Sequence, residues 1–278
     1  MAKRGYRLSV DDNIRFLEDI TNHPEYTSLF DNPFLKMFRE IHSRYGTKVH
    51  FNLFFERSGF NLSQVPDRFK AEWAANADWI RLSFHAKAEF PSWPYLNAGY
   101  DEIAADCQQV HNEILRFAGP EVLSPVTTLH FAEATQDGVR ALRSCGIKAL
   151  LGDFSFNEKG ERWLDYYCSS DQFDLVRTKC FCKDPVADMV FCCCDIVLDC
   201  FRPETVGPEL DRLAQLYPDR DFVDVLIHEQ YFYPDYKNHR PFYRELVEAG
   251  VEWCVRAGYE PAFVSEMVDL DHFEGTSF

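Results

Sequence analysis

Short apolar runs alternate along this chain with segments whose apolar residues recur every three or four positions. Runs rich in Val, Ile, Phe and Leu read as strands, and the longer periodic segments read as helices packing one face on a core. Strands are expected at Tyr6–Asp12, Lys48–Phe55, Trp79–His85, Val122–Phe131 (interrupted near Pro125), Ile147–Leu151, Met189–Cys200 and Phe222–His228, with a closing strand at Ala262–Val268. Helices are expected at Pro33–Tyr45, Pro66–Ala75, Asp101–Ala118, Gln136–Cys145, Pro203–Leu216 and Arg240–Ala257. The first of these carries Phe34, Leu35, Phe38 and Ile41 on one stripe, with Gly46 just past its end, the usual stop for a helix. Ser155 to Arg177 breaks the alternation and reads as a hairpin around Asn157–Gly160 followed by extended chain.

Strand–helix alternation argues for an α/β fold. Seven or eight such units predict an irregular (β/α) barrel, with a doubly wound open sheet as the alternative. No linker-like stretch divides the chain, so residues 1–278 are expected to form a single barrel domain with a hairpin-like insertion at about 155–177. The first strand–helix turn has no Gly-x-Gly-x-x-Gly, and neither a phosphate-binding Gly-x-x-x-x-Gly-Lys loop nor a Gly-x-Ser-x-Gly elbow occurs.

Composition narrows the partners. With 46% hydrophobic and 27% charged residues the chain is ordinary globular protein, neither disordered nor fibrous. Asp and Glu number 45 against 29 Lys and Arg, a net charge of −16. Such a surface repels phosphate backbones and anionic lipid, so neither nucleic acid nor membrane is an expected partner. No apolar run is long enough for a membrane helix, and the opening Met-Ala-Lys-Arg-Gly-Tyr-Arg lacks an apolar targeting segment. A cytoplasmic location is expected, with the ten cysteines as thiols. Cys192, Cys193 and Cys194 lie in one strand, where alternate side chains face opposite ways; they read as buried small hydrophobes rather than metal ligands. Cys180 and Cys182 lack the second pair that a zinc knuckle needs. The oligomeric state is not legible.

In (β/α) barrels chemistry collects at the C-terminal strand ends. Four strands deliver acid or imidazole there: Asp11-Asp12, His85 with Glu89 four residues on, His130, and His228-Glu229. Carboxylate and imidazole without thiolate are a donor set for a divalent metal. Each has a plainer reading: Asp11-Asp12 as a helix cap, His85 and His228 as packed core residues, Glu89 as a surface acid, His130 as a loop cap. Strand alternation places the two aspartates on opposite faces, one to bind metal and one free as a base. The remaining histidines fall in helices, mid-strand or loops and read as structural. Trp93 and Tyr95, in Phe90-Pro-Ser-Trp-Pro-Tyr95, are candidates for a flat wall against a sugar ring or acyl group, or for a rigid loop.

These residues resemble the polysaccharide deacetylases, carbohydrate esterase family 4. Leu8-Ser-Val-Asp-Asp12 looks like that family's first motif, His85-Ala-Lys-Ala-Glu89 like its second with Glu in place of the second His, and Val225-Leu-Ile-His228 like its last. The resemblance implies a distorted barrel in which Asp11 is the catalytic base and His228 the acid. It also implies a divalent metal, zinc being the expected ion, on Asp12 and His85 with Glu89 or His130 completing the set. The implied reaction is removal of an acyl group from an N-acetylated sugar or small amide, the substrate being a small molecule or oligosaccharide. An arginine that would orient the base is missing from the fourth strand or supplied elsewhere, and no fourth motif with Asp and Trp is visible. A catalytically degenerate carbohydrate-binding barrel is the alternative.

Overall fold

The structure, a computed structural model, describes residues 4–157 and 159–278. Met1, Ala2 and Lys3 of the opening segment, and Glu158 at the tip of the expected hairpin, lie outside the described residues. The fold is mixed α/β around parallel strands. In chain order the principal strands are β1 (Gly5–Asn13), β2 (Val49–Phe54), β3 (Ile80–Ala86), β4 (Val126–Thr128), β5 (Ala149–Gly152), β6 (Phe181–Asp184), β7 (Met189–Cys193), β8 (Ile196–Val197), β9 (Phe222–His228), β10 (Glu260–Pro261) and β11 (Thr276–Ser277). One sheet has the order β8-β9-β1-β2-β3, with β10 also beside β1; the other has the order β11-β6-β7-β5-β4. All pairings in the first sheet are parallel, and β6–β7 is the antiparallel pair of the second.

The two sheets are tied at two places. Leu82 of β3 exchanges backbone hydrogen bonds with Val122 and Ser124 just before β4 (2.8 and 2.9 Å). Between β7 and β8, Cys194 donates to Gly152 (2.7 Å) and Asp195 to Asp224 (3.0 Å). Both faces of β1 are buried along its whole length, as expected of a parallel strand covered on each side. Tyr6, Leu8 and Val10 belong to the main apolar core, while Arg7, Ser9 and Asp11 alternate with them as buried polar residues.

Helices cross over between strands: α1 (Arg15–Asn22), α2 (Pro33–Tyr45), α3 (Lys70–Ala75), α4 (Tyr100–Phe117), α5 (Gln136–Ser144), α6 (Ser170–Lys179), α7 (Pro203–Leu216) and α8 (Tyr243–Arg256). The amphipathic stripe of α2 buries Phe34, Leu35, Phe38 and Ile41, and Gly46 ends it in the left-handed region at φ 69°. Where local signals are complete, as in α2, α7 and β9, the expected bounds hold to the residue.

The differences have local causes. α1 was not expected, because no local side chain caps it; its first amides are bound instead by a residue more than two hundred positions away. Both oxygens of the buried Glu229 carboxylate accept from Ile14 (2.7 Å), Arg15 (2.9 Å) and Phe16 (2.6 Å). Replacing Glu229 by Ala orphans three buried or half-buried donors. It is expected to lower the unfolding free energy by about 3 kcal/mol or more, at ~1–3 kcal/mol for each donor left unpaired, read from urea denaturation.

α6 occupies sequence expected to be extended; its start carries a reciprocal cap between Ser169 and Gln172. The expected strand Met189–Cys200 breaks after Cys193, resumes as β8 and ends in a 3-10 turn at Leu198–Cys200. The expected tail strand Ala262–Val268 is replaced by the short β10 and a helical turn at Val264–Met267. Cys192 packs in a second core cluster with Cys180, and Cys193 in the main core.

Candidate metal centre

β1 ends in a bulge. Its pairing with β2 slips between Val10 and Asn13, and Asp12 sits in the left-handed region at φ 61°, a conformation Asp tolerates better than most residues. The expected strict alternation therefore fails here: Asp11 and Asp12 both line the same cleft at the strand ends. β3 delivers His85 and the segment after β4 delivers His130, where Phe131 and Ala132 also take positive φ (63° and 45°) as the chain turns inward.

Asp12, His85 and His130 converge. Oδ1 of Asp12 lies 3.0 Å from Nε2 of His85 and 3.3 Å from Nδ1 of His130, and the two nitrogens are 3.1 Å apart. The outward-facing nitrogens decide the tautomers. Nδ1 of His85 faces the carbonyl of Thr128 (2.5 Å) and Nε2 of His130 faces the carbonyl of Glu89 (3.3 Å). A carbonyl only accepts, so both nitrogens carry the proton. With both rings in their neutral, metal-binding form, two lone pairs and an anionic oxygen of Asp12 aim at one point. That arrangement is repulsive unless a proton or cation stands between them. Ligands at about 2.1 Å around a tetrahedral zinc stand about 3.4 Å apart, close to the separations here. The residues thus fit a divalent cation, and the carbonyl-bound imidazoles are the outer support such ligands usually have.

Burial disfavours charge on Asp12, but hydrogen bonds from His130 and His85, which place a proton between the groups when no cation is there, and the charge of His228 outweigh it and hold the carboxyl well below its usual range. Its second oxygen accepts from Nε2 of Gln230 (2.6 Å). The Glu89 carboxylate is not among the converging donors; it stands half-buried at the rim, and burial followed by the charge of Asp12 pushes its pKa up. Between Glu89 and His130, which the motif left open, His130 is the one that meets Asp12 and His85.

Asp11 is buried and accepts from Nδ2 of Asn52 (2.5 Å). Directly across the β1–β9 pairing is His228. Its backbone N–H and its Nδ1 both donate to Oδ1 of Asp199 (3.0 and 2.9 Å). Burial works against the imidazolium, but the charge and hydrogen bond of Asp199, followed by the charges of Asp12 and Asp11, raise it to about 10. Asp199 was not singled out in the sequence. The strand-end rule would have found it had the strand been ended at Val197, two residues before it.

The cleft above these groups has a volume of about 350 Å³ and apolar walls that include Leu129, Phe131, Leu164, Val197 and Leu226. A second cleft of about 540 Å³ adjoins it, sharing Asp12, Glu89, Phe90 and Gln230. Of the two candidate wall residues, Tyr95 takes no part in either lining. It is buried, with its hydroxyl bound to the Lys87 amide (2.9 Å) and the Asp106 carboxylate (3.1 Å), so it braces the loop after β3. Trp93 stacks on Phe131 at 4.4 Å and meets Trp163 edge-on at 4.9 Å. Phe131 and Trp163, rather than Trp93, line the cleft.

No protein-family model and no curated protein matches the chain by sequence. Solved structures do match it by shape. A family 4 acetyl xylan esterase from Clostridium thermocellum, solved with a cobalt ion, is 12% identical, with 95% of this chain and 90% of that chain covered at a TM-score of 0.50. A protein of Mycobacterium smegmatis assigned to the polysaccharide deacetylases is 10% identical over 97% of this chain and 90% of its own, at 0.56. A 4-alpha-glucanotransferase from Thermococcus litoralis is 12% identical and covers 100% of this chain but 41% of its own, at 0.59. In fold, the chain is polysaccharide-deacetylase-like and divergent in sequence, as its strand-end residues implied.

Proposed function

We propose that this chain is a metal-dependent hydrolase that removes an acyl group from an N-acetylated sugar or small amide, and that its two linked sheets wall one irregular barrel. The observation that carries this reading is the convergence of Asp12, His85 and His130 in one cleft with Asp11 and the His228–Asp199 pair. A divalent cation on that triad, zinc being the ion its nitrogen and oxygen donors suit, supplies Lewis acidity that activates water and polarises the acyl carbonyl. Asp11, whose carboxylate is held by Asn52, takes the proton of the attacking water. His228, paired with Asp11 across the two strands, carries a proton and donates it to the departing amine, a leaving group too basic to depart as an anion. The apolar cleft walls exclude water, and Phe131 and Trp163 offer faces on which a sugar ring packs. His130 completes the donor set where the second motif carries Glu89, so the exchange to Glu does not by itself favour a non-catalytic binding barrel.

The test is zinc binding by the purified chain, together with release of acetate from an N-acetylglucosamine pentamer. Stoichiometric zinc with turnover is expected; a chain that binds the oligomer without zinc or turnover would favour the binding barrel.

The Asp199 pair sets a pH prediction. With Asp199 in place, His228 stays protonated up to about pH 10, so the alkaline limb of kcat lies high. Asp199→Asn removes the charge that outweighs burial, and the limb is expected to fall by more than ~1 pH unit toward the ordinary imidazole range near 6.5. A limb that does not move would separate His228 from the proton donation. The same shift bears on stability. Because the folded pKa is raised, the contribution is complete below the unfolded value of about 6.5 and is lost as pH rises through about 10.

A further inference from the structure

We infer that Asp11 is held by a polarised chain of buried hydrogen bonds that begins at the guanidinium of Arg7 and ends in Asn52, its positioning residue; this rests on the reading of Asp11 as the base. The direction of every link follows from chemistry. Nε and an Nη of Arg7 only donate, and both face Nδ1 of His50 (3.2 and 2.9 Å). That nitrogen must therefore be a lone pair, which leaves the proton of a neutral His50 on Nε2, facing Oγ of Ser83 (2.9 Å). Ser83 in turn donates to Oδ1 of Asn52 (2.5 Å), since an amide oxygen only accepts. The amide orientation of Asn52 is fixed at its other end, because a carboxylate accepts only the NH2 group, and Nδ2 lies 2.5 Å from Oδ1 of Asp11.

The four links cross β1, β2 and β3 and return to β1, all in the polar interior. All five residues are buried, Arg7, Ser83 and Asn52 completely. Burial and the neighbouring arginines hold His50 well below its usual range, consistent with a neutral ring. Asp224 accepts from the far Nη1 of Arg7 (2.8 Å) and offsets part of its charge.

An apolar interior would serve stability as well or better, since buried polar groups cost free energy unless fully paired. A chain in which every dipole points the same way, from cation to anion, has the sense that fixes an anionic base in one orientation. It supplies at a distance the positive end that no arginine contacts directly: among the described residues, Asp11 has Asn52 as its hydrogen-bond donor.

The experiment compares zinc-loaded wild-type protein with Asn52→Ala, Ser83→Ala and Asp12→Ala on the N-acetylglucosamine pentamer. It also reads the His50 tautomer in the wild-type protein by imidazole 15N NMR without substrate. Losing the bond to a charged group is expected to lower kcat about 10- to 100-fold in Asn52→Ala, and losing a neutral link to lower it about 3- to 10-fold in Ser83→Ala. KM and zinc stoichiometry are expected to stay as in wild type, and His50 to show the neutral Nε2–H form. Wild-type kcat in both variants, or losses that follow KM or zinc content instead of kcat, would overturn the chain while an inactive Asp12→Ala left the hydrolase reading standing. An active, zinc-free Asp12→Ala would overturn that reading itself. A His50 carrying its proton on Nδ1, or charged at pH 7, overturns the chain whether or not the variants fold.

Discussion

Asp12→Ala is expected to abolish zinc binding and deacetylation together. Asp12 supplies the one anionic oxygen in a donor set otherwise made of two neutral imidazoles, and its Oδ1 is the atom both imidazoles face. Without it the converging donors are two lone pairs 3.1 Å apart, with no anionic oxygen among them to hold a dication. The fall in kcat/KM should exceed the ~10²–10³-fold that follows loss of a single oxyanion donor, because the activated water and the polarised carbonyl are lost at once. Metal analysis of the purified variant and acetate release check the two halves separately. The variant is expected to fold, since the Asp12 carboxylate bonds side chains of the cleft, His85, His130 and Gln230, and belongs to no apolar core cluster. Retained zinc at one equivalent would place the metal elsewhere and sink the assignment.

The second large effect separates acid from base. His228→Ala is expected to slow amide hydrolysis by ~10²–10⁴-fold, the range for loss of a positioned general acid. On 4-nitrophenyl acetate the same variant should lose less than ~10-fold, because nitrophenolate departs without protonation. An equal loss on both substrates would show that His228 acts on the acyl side or in binding. Asp199→Asn should follow the same substrate pattern in milder form, since it alters the proton of His228 without removing the ring.

The polar rim at the strand ends was legible because of how parallel strands work. Each strand of a βα unit points the same way, so residues that follow strands land at one end of the fold. Asp11, Asp12, His85, His130 and His228 could be collected from apolar runs alone, before any pairing was known. The patterns of α2, α7 and β9 were equally plain: the helices bury an apolar stripe, and β9 is an apolar run buried on both faces. The polar stripe Arg7, Ser9 and Asp11 along β1 was also visible in principle: in a strand buried on both sides, alternating polar residues announce a polar interior.

Other features depend on contacts that chain order does not encode. α1 has no cap of its own and begins on Glu229; helix signatures are local, and this one is not. Glu89 and His130 are equally good ligands on paper, and the turn at Phe131 and Ala132 decides between them by bringing the imidazole inward. Tyr95 looked like a wall because aromatics beside a site often are, yet Asp106 on α4 captures its hydroxyl and draws it into the core. Asp199 meets His228 only because β8 lies beside β9. The chain by itself determined which residue types reach the mouth of the fold, because strand polarity and hydrophobic period are properties of short segments. Tertiary structure alone decided which of them share a proton, a lone pair or a cation, because those interactions act over about 3 Å between groups set in most cases forty to more than two hundred residues apart.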